Sequence, residues 1–161
     1  MTPRRLLLVI EDGTEYTEAL ARLAPRDVEA PELVRAGNVA EARERLAERK
    51  PDGILLDVVF DRVPTESLAG DLPGLIARFG GDRARATRHL AESQGFYILD
   101  ALAGELGYVP VVLAYDFSGE PQRLEALRRR VPRLSGLPEG ASISQALEIL
   151  LERTTRDHRV S

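Results

Sequence analysis

Short, uninterrupted apolar runs alternate along the chain with longer stretches whose apolar positions recur at helical spacing. That alternation predicts a parallel sheet covered by helices on both faces. Leu6–Ile10 has no polar residue and reads as a central strand; residues 14–23 follow as a helix stopped by Pro25. Glu32–Ala36 is a weaker strand. Gly37 and Asn38 then turn the chain into a helix over Val39–Glu48, with Val39, Ala42, Leu46 and Ala47 on one face and Lys50, Pro51 and Asp52 as its stop. Residues 53–58, apolar apart from Asp57, and residues 109–115, entered through Pro110, complete the middle of the sheet. Further helices are predicted at 96–106 and 121–130, the second with Pro121 in its first turn, where a missing amide costs nothing. A short strand at 133–137, a last helix at 143–153 and a frayed tail at 154–161 end the series.

Residues 61–94 break the alternation, because connections between elements usually take only about 2–6 residues. Leu68, Leu72, Leu75, Ile76 and Phe79 recur at helical spacing; Gly80 and Gly81 interrupt them, and Asp82 is placed to cap a second helix carrying Ala84, Leu90 and Ala91. The segment is therefore a helical insertion after the third strand, expected as a lid or flank beside whatever the neighbouring strand end binds.

Composition narrows the possibilities. With 161 residues, 43% hydrophobic and 30% charged, the chain suits one globular domain over 1–153 with a flexible tail over 154–161. A net charge of -4 disfavours direct, nonspecific nucleic-acid binding. No apolar stretch approaches the roughly 20 residues of a membrane span, and the first ten residues make a poor secretory signal, so a cytoplasmic protein is expected. Cysteine is absent, which removes disulfides, thiolate metal sites and a cysteine nucleophile. The glycines form neither GxGxxG nor a GK[ST] phosphate loop. His89 and His158 are isolated, and Arg128, Arg129 and Arg130 read as a helix C-terminal charge set.

The chemistry concentrates in three acids. Glu11 and Asp12 directly follow the first strand, and Asp57 follows the apolar residues 54–56. Carboxylates at the carboxyl ends of adjacent parallel strands converge on the crevice where open α/β sheets bind ligands. Crowded carboxylates disfavour one another's ionisation, and a hard cation such as Mg²⁺ relieves that repulsion while keeping several waters. The candidate metal set is Glu11, Asp12 and Asp57, with Asp57 as a nucleophile toward a phosphoryl group. Lys50, the one lysine, precedes the Asp57 strand at the end far from this crevice.

The run LLLVIEDGTEYTEAL resembles the first strand and helix of response-regulator receiver domains, and LVRAGNVAEARERLAERKPDGILLDV resembles their second strand through the phosphoacceptor aspartate. QGFYILDALAGELGYVPVVLAYD is similar to the receiver segment from third helix to fourth strand. The likeness covers nearly all of the chain except 61–94 and the tail. It implies a flavodoxin-like, CheY-like fold of five parallel strands in order 2-1-3-4-5. It also implies Asp57 as phosphoacceptor, and Glu11 and Asp12 as the acidic pair that holds magnesium. Two positions depart from the receiver pattern. The switch hydroxyl position, five residues beyond Pro110, is Tyr115, with Ser118 as a displaced candidate; the position of the phosphate-pairing lysine, before Pro138, is Leu137. Arg62, Arg83, Arg85, Arg88 and Arg133 are candidate substitutes for that lysine.

The resemblance implies a divergent, stand-alone response regulator in two-component signal transduction and not an enzyme. Either it accepts phosphate on Asp57 from a histidine kinase, or it binds another signalling protein without phosphorylation, as a pseudo-receiver. A homodimer through residues 143–151 is the accompanying expectation. The alternative is a Mg²⁺-dependent Toprim-like nuclease or phosphotransfer enzyme with Glu11 as its acid. That reading lacks an aspartate pair spaced by one residue, Asp57 with Asp61 being the nearest approach.

Overall fold

The computed structural model describes residues 4–23 and 30–158, so the Pro25 stop lies outside the described residues. The described apolar runs pair into one parallel sheet of β1 (Leu6–Ile10), β2 (Glu32–Ala36), β3 (Gly53–Leu56), β4 (Val111–Leu113) and β5 (Leu134–Ser135), in the order β2-β1-β3-β4-β5. Around it lie α1 (Glu15–Leu23), α2 (Val39–Glu48), α3 (Leu72–Arg78), α4 (Arg83–Glu92), α5 (Gln94–Leu106), α6 (Pro121–Arg128) and α7 (Ile143–His158). This is the doubly wound, flavodoxin-like arrangement.

Every residue of β1, β3 and β4 is buried because both faces are covered. Leu7, Val9, Leu55 and Val112 face one side, where they meet Leu20 of α1 and Ala146, Leu147 and Leu150 of α7. Leu8, Ile10, Ile54, Leu56, Val111 and Leu113 face the other, against Ala42 of α2 and Ile98, Leu99 and Leu102 of α5. The apolar side of α7 is thus committed within the chain, and its Ser144, Gln145 and Glu148 point outward. The surface expected to pair two copies therefore presents polar positions between its half-buried Ile143, Ile149 and Leu151.

Several boundaries differ from expectation for local reasons. β3 ends at Leu56 rather than at 58, where the Asp57 carboxylate takes the Val58 N–H at 2.8 Å. β4 stops at Leu113 because the Tyr115 N–H folds back on the Leu113 carbonyl at 2.7 Å. α7 continues through His158, past the expected end at 153; Thr154 is 2% exposed and accepts a hydrogen bond from Arg5 at 3.2 Å, which ties that turn to the start of β1. The α2 start follows its sequence signal: Asn38 accepts from the Glu41 N–H at 2.9 Å, while the Glu41 carboxylate takes the Gly37 N–H at 2.7 Å.

The insertion is a helical hairpin. Asp71 caps α3 and Asp82 caps α4, each accepting a first-turn N–H. Between them Gly80 and Gly81 take φ of +66° and +88°, a left-handed pair that L side chains resist. The hairpin has its own small core of Leu75, Ala86 and Leu90, extended by Phe79 and by Tyr97 of α5. It stands as a flank on α5, and the Phe60 N–H donates to the Ala91 carbonyl at 2.8 Å.

Gln94 joins the hairpin to the receiver-like body. Its amide is 1% exposed; Oε1 accepts the Ala69 N–H at 2.6 Å, and Nε2 donates to the carbonyls of Ala69 at 3.0 Å and Leu90 at 3.2 Å. Gln94→Leu keeps the bulk but leaves the Ala69 N–H without its partner, so it is expected to lower stability by about 1–3 kcal/mol. Urea unfolding measures the loss, and faster hydrogen exchange at Ala69 locates it.

Candidate functional site

Parallel pairing of β1 with β3 places Ile10 beside Leu56, and the Asp57 N–H continues the ladder to the Ile10 carbonyl at 2.9 Å. Glu11 and Asp57 therefore leave the sheet at the same level, on the edge where the chain order reverses. Behind Asp57 the backbone is closed off by α5: the Gly95 N–H donates to the Val58 carbonyl at 2.9 Å, and a Cβ at Gly95 would collide with the Asp57 carbonyl. Only glycine allows that approach.

Burial first, with the negative charges of Asp12 and then Glu11 behind it, raises the Asp57 carboxyl from an ordinary 3.8 to about 6 against the pull of the Val58 N–H. Asp57 Oδ1 accepts the Val58 N–H at 2.8 Å, and the Val59 N–H also bears on the carboxylate. Tyr16 faces the same acids; burial raises its phenol, with Asp57 and Glu11 adding to the shift.

Glu11 takes a different role from a free ligand. It is 1% exposed, and its carboxylate accepts the Tyr16 N–H at 3.0 Å, the Thr17 N–H at 2.7 Å and the Thr17 hydroxyl at 2.7 Å. Both oxygens thus serve the N-terminus of α1, where unpaired amides and the helix dipole favour a negative charge. Among the described residues no three His, Cys, Asp or Glu side chains form a group that could hold a metal ion. Asp12 and Asp57 remain as neighbouring carboxylates, with Asp12 Oδ2 also accepting the Arg62 N–H at 3.0 Å. A hard cation that takes one or two carboxylates and retains its waters suits this donor chemistry.

Arg35 organises the loop between β1 and α1. Its guanidinium donates to the backbone carbonyls of Gly13, of Asp12 at 2.8 Å and of Glu11 at 3.1 Å. Neither Arg35 nor Tyr16 stood out in the sequence; the available signal was an arginine set between Val34 and Ala36 in β2.

The two departures from the receiver pattern have clear structural outcomes. Tyr115 packs into an aromatic cluster, its ring 5.0 Å from that of Phe96 and 4.9 Å from that of Phe117, and its hydroxyl donates to Glu120. Arg123 caps the cluster, 3.9 Å over Phe96. Leu137 is buried in the α1 and α7 core with Val112 and Leu147. Ser118 is exposed, its N–H closing a turn on the Asp116 carboxylate at 2.9 Å. Of the arginines considered in place of lysine, Arg85 lies over the Phe79 ring in the insertion, and Arg133 precedes β5 at the opposite end of the sheet. Arg62 is the one tied to the acidic loop.

No family model matches the sequence, and no curated protein matches it. Solved structures do match the fold. A receiver domain of the Francisella response regulator 1452 superposes with a TM-score of 0.60 at 13% identity, covering 96% of this chain and 99% of that one. The CheY-like receiver domain protein of Methanospirillum hungatei gives 0.61 at 10%, covering 99% and 100%. The NtrX receiver domain of Brucella abortus gives 0.55 at 17%, covering 92% and 96%. The chain has the CheY-like receiver fold, and at such low identity it is a divergent version of it. No helix among the described residues is long and apolar enough to cross a membrane.

The Asp57 shift has a signed consequence. A carboxyl raised in the folded state contributes stability that is full below the unfolded value, near 3.8, and is lost as pH rises through about 6. Asp57→Asn removes that loss. In metal-free buffer the variant is expected to gain about 1–2 kcal/mol on wild type between about pH 4 and pH 7.5, after discounting for partial solvent screening. Urea midpoints at the two pH values check the sign.

Proposed function

We propose that this protein is a receiver-type signalling module whose Asp57 accepts a phosphoryl group from a histidine kinase. The observation that carries the reading is Asp57 itself: a half-buried carboxylate at the β1 and β3 edge of a receiver fold, raised by burial and by Asp12 and Glu11. In this reading a carboxylate oxygen of Asp57 attacks phosphorus and forms the new P–O bond. The bond from phosphorus to the donor breaks, and its electron pair leaves with the donor. Asp12 and Asp57 would hold Mg²⁺, which supplies positive charge against the phosphoryl oxygens. Glu11 fixes the loop by anchoring α1, and Arg35 fixes it by holding its carbonyls. The buried Glu11, committed to α1, weighs against the nuclease alternative, which requires that carboxylate for metal.

Readout differs from a receiver with a small hydroxyl residue after β4. Tyr115 is held on Phe96, Phe117, Glu120 and Arg123, which supports a loop that stays in place whether or not Asp57 is modified. The same observation supports a second reading, in which partner proteins bind this surface without phosphorylation.

Intact mass after incubation with acetyl phosphate separates the two. Magnesium-dependent addition of one phosphoryl group, absent in Asp57→Asn, is the expected result; no addition to a folded protein favours the phosphorylation-independent module. Amide shifts on adding beryllium fluoride are expected to be large around Asp57 and small around Ser118. Equal shifts at both sites would contradict the fixed loop.

A further inference from the structure

A phosphoryl group on Asp57 would carry a charge of about −1.5 to −2 into a pocket already shared with Asp12 and Glu11. One divalent cation leaves that ensemble negative, so a further cation within reach would change its stability. Arg35 is at this edge, but its fork is engaged by three backbone carbonyls. Arg123 lies over the Phe96 and Tyr115 rings. Arg62 differs from both. Its backbone N–H is fixed on Asp12 Oδ2 at 3.0 Å, while its guanidinium lies across Gly13 and pairs with Glu15, Nη1 to Oε1 2.6 Å. Both partners of that pair are about 60% exposed, the side chains being 61% and 60% accessible. An ion pair so exposed is weak and opens readily.

We propose that Arg62 is a displaceable clasp on the site, resting on Glu15 while Asp57 is free and transferring its guanidinium to the phosphoryl oxygens once Asp57 carries them. The backbone anchor on Asp12 holds the root of the side chain beside the acids in both states. The forked guanidinium matches two phosphoryl oxygens at once. Glu15 is then a competitor for the clasp, and its removal strengthens the phosphoryl state. The inference rests on the phosphoacceptor reading of Asp57 and deepens it.

The test is titration of the full chain with beryllium fluoride in saturating Mg²⁺, followed by fluorine NMR, for wild type, Arg62→Ala, Arg62→Lys, Glu15→Gln and Asp57→Asn. Circular dichroism melts confirm that each variant is folded. Arg62→Ala is expected to weaken the apparent Kd by about 10- to 100-fold, the worth of a charge-assisted contact. Arg62→Lys recovers part of that loss, and Glu15→Gln tightens binding by about two- to fivefold. Arg62→Ala binding within twofold of wild type overturns the clasp and leaves Asp57 as acceptor. Wild type binding no better than Asp57→Asn overturns both.

Discussion

Negative charge gathered at one strand edge is the constraint around which the rest of this structure is arranged. Parallel pairing brings Glu11, Asp12 and Asp57 to the same end of β1 and β3, where burial strengthens every repulsion. Each carboxylate meets it differently. Glu11 is neutralised in place by the N-terminal amides of α1 and the Thr17 hydroxyl. Asp12 takes the Arg62 amide, and its loop is gripped by Arg35. Asp57 is half-buried with the Val58 N–H on its carboxylate, and burial first, then the charges of Asp12 and Glu11, raise that carboxyl to about 6.

Sequence pattern revealed the scaffold well because the strong signals were strong for physical reasons. β1 and β3 are buried on both faces, so they could be read as unbroken apolar runs, and the start of α2 was legible because Asn38 caps it while Glu41 reaches back to Gly37. The two insertion helices were legible from the Gly80 and Gly81 break and from Asp82. Strand ends were less legible, because hydropathy does not register a side chain that captures its own following amide, as Asp57 does, or a tight turn such as that at Tyr115.

At the site, the identity of the acids could be read, but their division of labour could not. Whether a carboxylate faces a crevice or a helix terminus depends on a torsion that residue spacing does not encode, and Glu11 took the helix. Arg35 was hidden because its importance lies in backbone carbonyls, which have no sequence signature. Gln94 was hidden likewise, since a buried amide with all its hydrogen bonds made looks like any polar residue at the start of a helix.

Leu137 sets a direction on how this protein can change. The side chain fills a packed space between β4 and α7. Placing a lysine there would either drag an ammonium group into hydrocarbon or pull it out and leave a void, and both are costly. A lysine is therefore hard to place at this position, because neighbours such as Leu147 have closed around the leucine. The charge around Asp57 is open to change instead at exposed loop residues such as Arg62 and Glu15, where substitution disturbs no core.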